Sequence, residues 1–100
     1  MSVAAHSMAL TSMQEIHEYQ NQKRDISRVR HEATREVGEL SRMMVGIAPD
    51  NPQRVDINKK IEELQDTINQ LAVQEENIKE LMDDAQKMLQ ESRTERDQNV

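Results

Sequence analysis

"VGIAPDNPQRVD", residues 45–56, lies near the middle of a 100-residue chain whose remaining residues are mostly good helix formers. How it is read decides between one long rod and two helices folded back on each other. Pro49 disfavours the α region for Ala48, and Gly46 can supply a left-handed cap, so the first helix is expected to stop near Gly46 or Ile47. Asn51 followed by Pro52 reads as an N-cap with proline at the first helical position, where its missing N–H is no loss. A stop followed within a few residues by a start is the pattern of a tight antiparallel connection.

On either side of this break the apolar residues recur at spacings of three and four. With Ile16 at heptad position a, Lys23, Arg30, Val37 and Met44 are also a, and Tyr19, Ile26, Ala33, Leu40 and Ile47 are d. With Ile61 at a in the second segment, Ile68, Glu75, Met82 and Leu89 follow at a, and Ile57, Leu64, Leu71, Ile78 and Ala85 occupy d. If the chain reverses at the break, residues whose numbers sum to about 101 lie opposite. Met44 then meets Ile57, Leu40 meets Ile61, Val37 meets Leu64 and Ala33 meets Ile68. In that register Glu75 faces Ile26 and lies between the layers of Lys23 and Arg30, so the one seam acid is bracketed by the two seam bases. These three charges are read as register-setting, a role for polar seam residues that need not add net stability.

Composition points the same way. The only aromatic residue is Tyr19, and with two Gly and two Pro there is little turn material for an all-β fold. The expected fold is all-α: an antiparallel helical hairpin of two long helices with coiled-coil packing, completed as a four-helix bundle by self-association or by a partner. The expected organisation is a flexible segment at 1–12, helix 1 at 13–47, a proline-bracketed turn at 48–51, helix 2 at 52–93 and a flexible acidic and polar tail at 94–100. No apolar stretch approaches the roughly 20 residues of a membrane span. The opening "MSVAAHSMALTSM" has no Lys or Arg and no sustained apolar run, so no cleaved signal peptide is expected. A soluble, cytoplasmic protein is expected, with non-classical secretion as the alternative.

Candidate chemistry is sparse. The chain has no Cys, which removes thiolate nucleophiles and cysteine metal sites. "HEYQN" and "HEATR" lack the second His of H-E-x-x-H, so His17 and His31, like His6, read as solvated helix-surface residues. Neither a phosphate-cradling Gly-rich loop nor a Glu-x-x-His pair occurs. No enzymatic activity, catalytic residue, metal or cofactor is expected. Arg24, Arg28, His31, Arg35 and Arg42 form a possible basic stripe on the b and f face of the first helix, where it could track a phosphate backbone. Glu32 and Glu39 lie four residues from Arg28 and Arg35, the net charge is −6, and no aromatic side chain is available to stack on bases. Nucleic acid is therefore a disfavoured partner. From Pro49 onward acids outnumber bases thirteen to seven, concentrated at Glu75, Glu76, Glu80, Asp83 and Asp84. Such a segment could attract a basic partner or serve solubility alone.

The apolar residues outside the seams carry the functional expectation. Val29 and Met43 are g positions of the first helix, and Leu81 and Met88 are g positions of the second. In an antiparallel pair g flanks g, so the four are expected along one lateral side as a protein-interaction strip. The favoured function is a non-enzymatic protein–protein interaction module, such as an assembly factor, secretion chaperone or adaptor. Its partners would be proteins: further copies in a homo-oligomer, or a helical client. The alternatives are a self-assembling structural subunit of a larger particle or secretion apparatus, and, third, a small nucleic-acid-binding regulator. A polar N-terminus, a helix, a turn reading "PDNP" and a second helix together resemble the small hairpin subunits of bacterial type III secretion needles. The resemblance covers the turn and the topology, and implies filament assembly. Those subunits tend to end in an apolar helix, whereas this chain ends in "QESRTERDQNV".

Overall fold

The structure is a computed structural model that describes the backbone of residues 2–98 and the side chains of residues 10–94. It contains two helices, α1 at Ser2–Val45 and α2 at Pro52–Gln98, which pack against each other. Ile26–Gln74 form one compact unit that holds the turn, and Met1–Asp25 with Glu75–Val100 form a second. Each unit joins a stretch of α1 to a stretch of α2. A single continuous rod could not do that, so the chain is a helical hairpin.

The turn stops α1 by a different device from the one the sequence suggests. No glycine in the described residues has a positive φ, so Gly46 is not a left-handed cap. Instead Gly46 N donates to Met43 O at 3.3 Å and Ile47 N to Met44 O at 3.2 Å. These i→i+3 bonds tighten the last turn of the helix. Pro49, which has no N–H to continue the ladder and restricts Ala48, then ends it. The start of α2 follows expectation. Pro52 is its first residue, and Asn51 Oδ1 accepts a hydrogen bond from Gln53 N at 3.0 Å, satisfying one of the orphan donors of the helix N-terminus. Arg54 Nη1 reaches back to Ile47 O at 3.2 Å. Arg54 is an a position one heptad before Ile61, and its number and that of Ile47 sum to 101, the register expected for the seam.

Burial follows the heptad frame closely. Of the twenty a and d positions assigned above, nineteen are buried or half-buried and only Lys23 is exposed, so the contact face is the a/d seam. Most seam residues are half-buried, because one facing helix cannot cover a large side chain on all sides. Fully covered are Ala33, Ile78 and Ala85, together with Ser12 and Ser92 at 1% exposure each. Four of these five are small side chains that lie close to the helix axis; Ile78 is the one large side chain so covered.

The helices run past the expected ends, and near each end the seam is continued by a buried serine. α1 begins at Ser2 rather than at residue 13, and α2 continues to Gln98 rather than stopping at residue 93. Ser12 and Ser92 are both d positions, one heptad beyond Tyr19 and Ala85. The seam thus continues one layer further than its apolar residues mark. Ser92 Oγ donates to Met88 O of its own helix at 2.9 Å, and no buried side-chain nitrogen or oxygen among the described residues lacks a partner. A hydroxyl satisfied within its own helix can be buried at little cost. Ala4, Ala5, Met8, Ala9 and Leu10 add favourable helix propensity before Ser12. Residues 1, 99 and 100, which belong to the expected flexible ends, lie outside the described residues.

Candidate interaction surface

In the unit formed by Met1–Asp25 and Glu75–Val100, Leu81 and Met88 stand beside the seam at g, 48% and 42% exposed. They are seven residues apart, two helical turns, and so share one face about 10 Å apart. Asp84 lies between them in sequence at the adjoining c position, where Asn77 and Glu91 also fall. The facing stretch of α1 presents Glu15 and Gln22 at g with Thr11, Glu18 and Asp25 at c. Glu15 is half-buried, whereas Glu18, Asp25, Asp84 and Glu91 are exposed. Glu18 Oε1 accepts a hydrogen bond from Gln22 Nε2 at 3.3 Å. The apolar pair therefore has carboxylates along both edges.

In the Ile26–Gln74 unit the other two strip residues, Val29 and Met43, are 41% and 57% exposed. They are fourteen residues apart with exposed Glu36 at the intervening g position, so they do not form a contiguous patch. Met43 instead walls a cleft of about 230 Å³ at the turn, together with Ile47, Gln53, Asp56 and Ile57.

Two further exposed apolar residues, Leu10 and Met13, fall outside the strip expected from the sequence. Extending the heptad frame back through Ser12 places Leu10 at b and Met13 at e, on the side of α1 away from g. The signal was present but was obscured because a serine, not an aliphatic residue, continues the seam. Val45, Val55 and Val73 are also exposed, on b and f positions where single apolar residues are ordinary.

The remaining candidates are polar. Lys23 is exposed, while Arg30 and Glu75 are half-buried, and both of the latter have interaction partners. In the basic stripe, Arg24, Arg28, His31, Arg35 and Arg42 are all exposed. Arg35 Nε lies 3.9 Å from Glu39 Oε1, Arg28 has an interaction partner, and His31 Nδ1 lies 2.7 Å from Ser27 O of its own helix. An exposed pair such as Arg35–Glu39 contributes little to stability, but it lowers the positive potential that the stripe projects. Of the acidic cluster on α2, Glu76, Glu80, Asp83 and Asp84 are exposed and Glu75 is half-buried.

Among the described residues, no group of three or more His, Cys, Asp or Glu is arranged to hold a metal ion, and no helix is long and apolar enough to cross a membrane. No protein-family model, curated protein or solved structure matches the chain.

Proposed function

We propose that the chain is a non-enzymatic protein–protein interaction module, of the kind that serves as an assembly factor, secretion chaperone or adaptor. The observation that carries this reading is the exposure of Leu81 and Met88 on one face while, of the neighbouring seam positions, Ala85 is buried and Met82 and Leu89 are half-buried. Two large apolar side chains two turns apart on one face, beside a seam only two helices thick, form a surface that a third helix can cover. Val29 and Met43 contribute as separate contacts in the turn-bearing unit. A cytoplasmic location fits this role.

The test is to replace Leu81 and Met88 together with Gln, a good helix former, and to measure complex size by light scattering, alone and in the presence of native partners recovered with the wild-type chain. Each lost anchor is expected to cost about 1–4 kcal/mol of association free energy, enough to remove a micromolar complex from view. Unchanged size and partner retention would overturn the reading. A second reading, a self-assembling structural subunit, draws support from Leu10 and Met13, a second exposed apolar pair. Two different patches on one chain permit head-to-tail contacts, which grow without closing. Open-ended growth with concentration would favour it.

A further inference from the structure

The charges around Leu81 and Met88 say what kind of helix covers them. We infer that the occupant is a basic amphipathic helix of another protein, with Lys and Arg flanking an apolar stripe, and not a second copy of this chain docked through the same face. This inference rests on the reading of Leu81 and Met88 as a binding surface and adds the chemistry of the partner.

Charge complementarity selects such a helix. Within residues 10–25 and 75–94, the g and c positions that border the apolar pair include Glu15, Glu18 and Asp25 on α1 and Asp84 and Glu91 on α2, and no Lys or Arg. The bases of these segments, Lys23, Arg24, Lys79, Lys87 and Arg93, fall at a, b, e and f positions instead. Sorting of charge to this degree is not required for solubility, which a mixed surface achieves equally well. It has a direct effect on association. An isologous dimer through this face would bring two sets of five carboxylates together around a small apolar centre, and like-charge juxtaposition of that kind suppresses a partner. A helix with Lys or Arg on both sides of its apolar stripe meets opposite charge along both edges. Its association is steered by the rim and held by the apolar centre. The apolar pair spans about 10 Å, so two to three turns of such a helix suffice to cover it and reach the flanking acids.

The experiment uses the full chain and two synthetic helical peptides with the same Leu stripe, one carrying Lys and Arg on its flanks and the other Glu. Binding is read by fluorescence anisotropy at low and at physiological salt, and circular dichroism checks that each variant keeps its helical signal. The basic peptide is expected to bind, more weakly as salt rises, and the acidic one not to bind. L81Q/M88Q is expected to lower affinity for the basic peptide at least tenfold, and D84K/E91K by a similar factor, whereas L10Q/M13Q, on the other side of α1, leaves it unchanged. If the acidic peptide binds as well as the basic one, if neither binds, or if D84K/E91K has no effect, the inference is overturned. Partner loss in L81Q/M88Q together with failure of the basic peptide would leave the interaction module standing and remove only the chemistry assigned to its partner. Sedimentation of the chain alone decides the remaining alternative: a dimer abolished by L81Q/M88Q would place a second copy on this face and overturn the inference.

Discussion

The turn-bearing unit and the terminal unit use the same heptad seam with different materials. Ile26–Gln74 fill it mainly with large aliphatic residues, Val37, Leu40, Ile57, Ile61, Leu64, Ile68 and Leu71 among them, which are half-buried. The terminal unit relies on Ser12, Ala85 and Ser92 for its most completely covered positions; each unit also places two charged residues at a, Arg30 and Arg54 in the first and Lys23 and Glu75 in the second. The charge balance differs as well. The turn-bearing unit has seven Lys or Arg against eight Asp or Glu, net −1; the terminal unit has six against eleven, net −5. Burial of large apolar side chains is the main favourable term in folding. The turn-bearing unit has more large aliphatic residues in its seam, whereas the terminal unit buries Ile78 but has fewer of them, and combines this with excess negative charge and an exposed apolar pair. Under the proposed function, the terminal unit is the part that would gain stability from a partner.

Changing the bulk in each seam puts this contrast under the greatest strain. Leu64→Ala is expected to cost about 2 kcal/mol, the low end of the range for such truncations because the site is only half-buried. Ala85→Leu, which adds bulk at a fully covered position, is expected to cost about 1–3 kcal/mol. Chemical denaturation followed by circular dichroism reads both. Stabilisation by Ala85→Leu would show room in the terminal seam and contradict the account of its small residues. A smaller effect sharpens the description of the turn. Gly46→Ala is expected to stabilise by about 0.4–1 kcal/mol, since the position lacks a positive φ and an added Cβ meets only Met43 O at 3.8 Å. A loss of stability in the same assay would mean that Gly46 uses its left-handed freedom after all.

Much of the fold was legible because it rests on local rules. The break at Pro49, the cap at Asn51 and the three-and-four spacing of Ile, Leu, Val and Met each act over a few residues, and the structure follows them to the register of Arg54 with Ile47. What the sequence hid was decided by tertiary cover. A serine at d is unremarkable in isolation, and only an opposing helix turns Ser12 and Ser92 into core. Gly46 misled because its conformational freedom is an option, and i→i+3 bonds made it unnecessary. Of the candidate surface, the exposure of Leu81 and Met88 was foreseeable from their g positions. Leu10 and Met13 were not, because a serine at d, Ser12, gives no apolar mark of the seam beside them.

Hydrogen exchange, followed by mass spectrometry on the full chain with and without the basic helical peptide, tests the division between the units most directly. Alone, the amides of Val37–Met44 and Ile57–Leu71 are expected to exchange most slowly, since large apolar burial makes local opening costly. On addition of the peptide, exchange is expected to slow around Leu81 and Met88 and in the facing stretch near Glu15 and Glu18, and to remain as it was in the turn-bearing unit. Slowing confined to the turn-bearing unit, or a terminal unit already the slower of the two in the free chain, would contradict the account.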